Sequence, residues 1–289
     1  MNTRILTYFV AVAEHQNITH AANALHIAQP ALSVAIKKLE GQLDLELFRR
    51  HERKMSLTVE GETLLVHAKQ ILQQLDDAKL AMSELRGLEK GEVRLGLPSI
   101  MGTYYFPDLL MAFKSRYPKL KLIMIEGGTQ SIQKMLLDGE IDLGIIQTHN
   151  LPDALQSEHL VHSQMVAVVN TEHEFADKKE LSFAEFFSQE LIMFKKGYFH
   201  REQLDAICQK ENLTANFSFE TNLLSVILKV VKRDFAITAL LELATEKETD
   251  IVAIPFKEPI LLDLSIAWRK KGYLSKADRA FLEFVKQNH

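Results

Sequence analysis

The sequence predicts an α + α/β chain: a small helical head, one long helix and a larger α/β domain. Three observations carry this. Residues 1–58 show short helical patterns with almost no strand signal. Residues 59–90 hold a single sustained helical repeat that ends near Gly87 and Gly91. From Glu92 onward, β-branched runs alternate with helical stretches, the pattern of a largely parallel sheet. Domain boundaries are therefore expected at 1–58, 59–90 and 91–289.

Composition narrows the function classes. With 289 residues and 47% hydrophobic content, the chain can bury sizeable cores. A net charge of -4 excludes a globally basic surface, so any nucleic-acid partner must be met by a local patch. Residues 1–58 hold seven basic against five acidic residues, a mild imbalance of that sign. Cys208 is the only cysteine, which excludes an intramolecular disulfide and a Cys-rich zinc site. The apolar opening Ile5 to Ala13 runs into Glu14 and His15 without a basic leader. No stretch approaches the roughly 18 apolar residues of a membrane span. A cytoplasmic location with no membrane partner is expected.

The head begins with Ile5, Leu6, Phe9, Val10 and Ala13, a helical stripe that needs a core. "NITHAANAL" (17–25) follows, with Thr19 placed as N-cap and Ala21, Ala22 and Leu25 small enough for close packing. After a turn at His26 to Ala28, Pro30 fits the first turn of a third helix, where its missing N–H is no loss. Leu32, Ile36, Leu39 and Leu43 then face inward. Ser33, Val34, Lys37 and Lys38 face outward, with Gln29 at the N-terminal end. Two short helices at a tight turn, the second presenting a polar face, make a helix-turn-helix. Gln can pair with adenine, Ser with either base type, and Lys with guanine or a phosphate. "FRRHERKMSLT" (48–58) clusters Arg49, Arg50, Arg53 and Lys54 in a wing that can reach the backbone or minor groove. A solvated helix face has the same pattern, and spacing alone leaves both readings open.

The long helix carries Leu64, Ala68, Ile71, Leu75, Ala78, Met82 and Leu85, steps of four and three that make a coiled-coil seam for dimerisation. Leu65 and Leu72 widen the stripe, so the helix can also lie on its own chain's core. In the α/β part, "EVRLGL" (92–97), helix 103–116, "LKLIMIE" (120–126), a helix from Gln130 to Leu137 and "IDLGIIQ" (141–147) form two βα units. "QMVAVV" (164–169) opens a similar second half, with strands near 191–194, 215–220, 235–238 and 251–254. "LLDLSIAW" (261–268) and a helix over 276–287 close the chain. Two similar halves joined by two crossings suggest hinged lobes, one about 91–161 plus 265–289 and the other about 162–264.

Residues 9–65 resemble the N-terminal domain of LysR-type transcriptional regulators. The match rests on Ala21-Ala22, Leu25, Gln29-Pro30-Ala31-Leu32-Ser33, Leu39-Glu40, Leu47-Phe48, Arg50, Leu57-Thr58 and Gly61. Asn17 and Asp44 stand where that family often has Ser and Gly. The resemblance implies a winged helix-turn-helix, a linker helix and a two-lobed α/β effector domain resembling periplasmic binding proteins. It implies a homodimer or homotetramer on double-stranded promoter DNA, a small-molecule effector, and RNA polymerase as a further partner. The family's Gly-rich turn before a late strand is replaced here by "VKRDFAIT" (231–238), with Arg233 and Asp234 in its place.

"GLPSIMGT" (96–103) and "EGGTQS" (126–131) each end a strand and open a helix. Such helix N-termini at the carboxyl edge of a sheet favour anions. Ser99 and Thr129 are therefore expected to hold an anionic group of the effector, although either could simply cap its own helix. Ile100, Gln147, Phe194 and Thr221 complete the expected lining, with Tyr198 and Phe199 beside Phe194. The rival reading is a solute-binding or catalytic α/β protein whose N-terminal helices serve assembly. The sequence has no Gly-x-Ser-x-Gly elbow, P-loop, dinucleotide fingerprint or His-Glu-x-x-His. No enzyme activity and no cofactor are expected. His159 and His162 lie three apart without acidic or Cys partners at useful spacing, so no metal is expected either. Cys208 is expected to pack on a helix.

Overall fold

A computed structural model describes residues 1–51, 54–85, 91–149 and 151–288, with the side chains of all but 50, 51, 54 and 83–85. It forms two compact units, Met1–Gly87 and Leu88–His289.

The first unit is built on helices α1 (Thr3–His15), α2 (Ile18–Ala24) and α3 (Gln29–Leu43), followed by the hairpin β1 (Phe48–His51) and β2 (Lys54–Leu57). Helix α4 (Val59–Leu85) closes it. The inward stripe is as expected: Leu6, Phe9, Ala21, Ala22, Leu32, Ile36 and Leu39 share one buried cluster with Leu47, Phe48, Met55 and Ala68. Thr19 is not the cap of α2. Asn17 takes that place with an extended backbone, and its side chain accepts from the amides of Thr19 and His20 at 2.9 and 3.0 Å. The helix has already begun at Ile18, so Thr19 has no orphan amides ahead of it to satisfy. The turn between α2 and α3 is made by His26 in the left-handed region (φ 54°). Pro30 sits in the first turn of α3.

The hairpin pairs Phe48 with Leu57 and His51 with Lys54. Its start is tied to α3 by Glu40, whose Oε1 accepts from the amides of Leu47 and Phe48 at 3.0 and 3.3 Å. Its end is tied to α4 by Thr58, which donates to the Glu46 carbonyl and accepts from the Gly61 amide. Gly61 must be glycine here: a Cβ would lie 2.2 Å from the Leu47 carbonyl oxygen.

The second unit has two lobes. In the first, β3 (Glu92–Leu97) leads through a π-helical turn (Met101–Tyr105) into α5 (Phe106–Arg116). Strand β4 (Lys121–Glu126), helix α6 (Thr129–Asp138) and β5 (Leu143–Gln147) follow. In the second, α7 (Phe183–Phe187), β7 (Glu190–Met193), α8 (Phe199–Glu211), β8 (Asn216–Glu220), α9 (Leu224–Val231) and β9 (Thr238–Leu241) repeat the alternation. Helix α10 (Lys276–Gln287) ends the chain and buries Phe281 and Phe284 against Phe113 of α5.

The connections depart from expectation. Residues 164–169 belong to one long strand, β6 (Leu155–Asn170), and 251–254 and 261–268 to another, β10 (Ile251–Arg269). These two pair antiparallel with each other along their length and serve both lobes. The resulting sheet order is β4-β3-β5-β10-β6-β9, with β7-β8 attached through a bridge from Leu191 to Ile237. The sheet is therefore mixed, since β5 and β9 meet their long neighbours antiparallel. Polar residues such as His159, His162 and Asp263 interrupt the apolar pattern of both strands, which is why the sequence reads as shorter pieces. The ladder is irregular twice. At Leu264/Ser265 the partner passes from Val161 to His159, leaving Leu160 as an extra residue, and between Pro255 and Ile260 the strand β10 makes an excursion.

Candidate DNA interface and ligand cleft

Helix α3 presents Gln29, Pro30, Val34, Lys37 and Lys38 to solvent, with Ser33 half-buried among them. Val34 is 66% exposed, unusual for a branched apolar side chain and suited to contact with a thymine methyl. Gln29 Nε2 donates to Ser33 Oγ at 2.9 Å, so these two polar side chains lie one turn apart on one edge. Arg49 of the hairpin is exposed, and Glu40 holds the hairpin beside this face. The Arg50 side chain and Arg53 lie outside the described residues.

Along α4 the expected seam divides. Ala68 is buried, and Leu64, Leu65 and Leu72 pack with it on the head's own core. Further along, Ile71 (39%), Leu75 (37%), Met82 (56%) and Ala78 are exposed. The side chain of Leu85 lies outside the described residues. Among the described residues, only the later part of the repeat is exposed.

The two lobes of the second unit touch where α6 begins. A Cβ on Gly128 would lie 2.3 Å from the Gly197 carbonyl oxygen and 3.0 Å from the Tyr198 ring, so bare backbone makes the approach. Gln130 on α6 donates to Glu202 on α8 across the same contact. Beside it, Thr129 is 7% exposed and its hydroxyl has no hydrogen-bond partner among the described residues. His200 is 1% exposed, and neither ring nitrogen finds a partner there. Burial alone pushes its pKa down to about 3, so the ring is neutral. Buried polar atoms without partners are rare, and here two sets lie on elements that meet between the lobes, which makes this the candidate ligand site.

The remaining residues divide. Ser99 donates to Glu126, the last residue of β4, so its hydroxyl is committed to a carboxylate of the protein itself. Glu126 also acts on Tyr198, whose phenol is raised first by burial and then by that negative charge. Ile100 is in the core. Phe194 is also buried, its ring stacked on Tyr198 at 5.0 Å and 6°, with His200 on it at 5.1 Å. Gln147, half-buried, ends β5 opposite Leu264. The Thr221 hydroxyl accepts from the Leu223 amide, making the turn before α9. Glu126 and His200 escaped sequence reasoning: a glutamate ending a strand and a histidine beside aromatics carry no motif. Arg233 and Asp234 form an exposed turn after α9, where Asp234 itself takes the left-handed backbone (φ 56°) in place of a glycine. Cys208 is half-buried on α8 and its thiol is raised, chiefly by burial.

Two family models match most of the chain. The model of the bacterial regulatory helix-turn-helix proteins of the lysR family matches residues 3–62, and that of the LysR substrate binding domain matches residues 86–289. This chain belongs to the LysR family. The LysR-family protein is 32% identical to the uncharacterized HTH-type transcriptional regulator YwbI of Bacillus subtilis (strain 168), over 99% of this chain and 96% of the relative. Its fold matches full-length CbnR complexed with the target DNA at a TM-score of 0.67, with 21% identity and complete coverage of both chains. The effector binding domain of QuiR in complex with shikimate matches at 0.61, with 20% identity, over 69% of this chain and 97% of that one. The LysR-family protein is thus a DNA-binding transcriptional regulator with an effector-binding domain, and not an enzyme. No helix among its described residues is long and apolar enough to cross a membrane.

Proposed function

We propose that the protein works in the cytoplasm as a homodimer or homotetramer on an interrupted palindrome in promoter DNA, switched by a small anionic effector. Helix α3 reads the major groove with Gln29, Ser33 and Val34, while Lys37, Lys38 and the hairpin arginines hold phosphates. Pairing through the exposed part of α4 places two α3 helices in successive grooves, about 34 Å apart. RNA polymerase is the partner that receives the change.

One observation carries the ligand half of this reading: unpartnered Thr129 Oγ1 and His200 lie on the two elements that meet at Gly128 and Gly197. An anionic end of the effector accepts from Thr129 at the N-terminus of α6, where backbone N–H groups and the helix dipole favour negative charge. The Ser99–Glu126 pair favours a hydroxyl or amine on the ligand's other end, because a second anion there would face a carboxylate. Shikimate on QuiR is a ligand of this general kind, a carboxylate with hydroxyls. The ligand must favour one lobe arrangement over another, since equal affinity shifts nothing.

The test is a thermal-shift screen of the full-length chain against small hydroxy and amino carboxylates, followed by DNA binding with each hit. A stabilising acid that alters DNA binding, and that loses its effect in Thr129→Val with unchanged basal DNA affinity, supports the site. A response that survives Thr129→Val overturns it.

A further inference from the structure

We propose that His159, His162 and Asp263 form a site for a divalent first-row transition ion, clamped across β6 and β10 where these strands pass between the lobes. In a regular strand, residues three apart point to opposite faces, so His159 and His162 should not meet. Leu160, the extra residue of the bulge, shifts the alternation by one and returns both histidines to the same face. Their ring centroids lie 3.9 Å apart. Asp263, 101 residues away in sequence, is the cross-strand partner of His162, and its carboxylate meets His162 Nδ1.

One donor atom from each of the three residues lies within 4.8 Å of the others, and all three side chains are exposed. A tetrahedral ion with metal–nitrogen bonds near 2.0–2.1 Å needs donors about 3.3 Å apart. Small rotations of exposed side chains supply that difference. Two imidazoles and one carboxylate are borderline-to-hard donors, which favours zinc, nickel or copper over calcium or magnesium. Three protein ligands leave the remaining positions to water, as in open zinc sites. With ligands on both strands, a bound ion ties β6 to β10 next to the irregular register and restrains the paired strands that pass between the lobes. This site shares no residue with the Thr129 site and does not depend on the effector reading.

The test uses full-length, tag-free protein, stripped with chelator and titrated with Ni²⁺ and Zn²⁺ by calorimetry. The expected result is one ion per chain in the micromolar range, with affinity falling at least tenfold in His159→Ala and in His162→Ala. Asp263→Asn should weaken binding while keeping the fold, and Co²⁺ should give visible absorption bands that His162→Gln removes. All three residues are on the surface, so a matching melting temperature without metal certifies folding. Unchanged affinity in the His159→Ala/His162→Ala double variant, or binding only at millimolar ion, overturns the proposal.

Discussion

Gln29 and Ser33 are joined side chain to side chain, Nε2 to Oγ at 2.9 Å, across one turn of α3. Each thereby limits the rotamers of the other, which on the proposed reading would meet part of the ordering cost of recognition in the free protein. Gln29→Ala and Ser33→Ala should each reduce discrimination between the target operator and a base-substituted operator by about 1–3 kcal/mol. Gln29 is exposed and Ser33 half-buried outside the head's core, so the melting temperature should hold. Fluorescence anisotropy on the two duplexes at fixed salt makes the comparison, and equal losses on both would assign these residues to the backbone instead.

Gly61 lies against the Leu47 carbonyl, 2.2 Å from where a Cβ would be. Gly61→Ala should destabilise the head by about 1–3 kcal/mol, because neither α4 nor the hairpin strand can move alone. Weaker DNA binding should accompany the lower melting temperature. A variant as stable as the parent would mean the packing there yields freely.

Ile71 and Leu75 remain exposed after α4 has packed on the head. Replacing both with Lys should convert the oligomer to a monomer in sedimentation and abolish high-affinity operator binding, with the head's own core intact. Leu64 and Ala68 offer the contrasting pair: their substitution should lower stability, because they are packed with Phe9 and Leu39 rather than left for a partner.

Gly128 faces Gly197 with no room for a side chain. Gly128→Ala should wedge the lobes apart, increase the radius of gyration measured by X-ray scattering, and blunt the effector response. An unchanged scattering profile would show that the contact is not what holds the lobes together.

Asp278 sits in the first turn of α10, 2% exposed, and its carboxyl is pushed up to about 7 from 3.8, first by burial and then by Asp142 nearby. The folded protein keeps this proton where the unfolded chain has released it. The stabilisation is present at low pH and is lost as pH rises from about 4 to about 7, on the order of a few kcal/mol. His200 acts with the opposite sign, losing stability as pH falls from 6.5 towards about 3. Comparing Asp278→Asn with the parent removes the histidine's contribution. The melting difference should move in favour of the variant between pH 4 and pH 8, and a constant difference would rule out titration of Asp278.

The helical head was legible because its signal is local. Leu32, Ile36 and Leu39 repeat at the helical period, and each is buried where that period puts it. Pro30 and the βα units declare themselves in the same way. What sequence spacing could not show depends on pairing between distant segments. His159 and His162 looked like a partnerless pair because the bulge at Leu160 exists only in the ladder with β10, which also delivers Asp263. The lengths of β6 and β10 were hidden because exposed polar residues break the apolar run while backbone pairing continues. Leu64 and Ala68 satisfy a heptad and a core stripe equally well, and only the packing of α1 against α4 decides between them. The Ser99–Glu126 bond joins two strand ends that are adjacent in space through β3–β4 pairing, so a hydroxyl that looked ready for an anion was already engaged.

The lobes are not strung on a slack tether. Because β6 and β10 are hydrogen-bonded to each other as they cross, one lobe can turn on the other only by twisting a two-stranded ribbon, and that ribbon resists like a torsion spring. Its soft point is the excursion between Pro255 and Ile260, where the ladder lapses. A ligand that acts as proposed would work against that ribbon, so a small rotation with a built-in return is the motion the pairing favours.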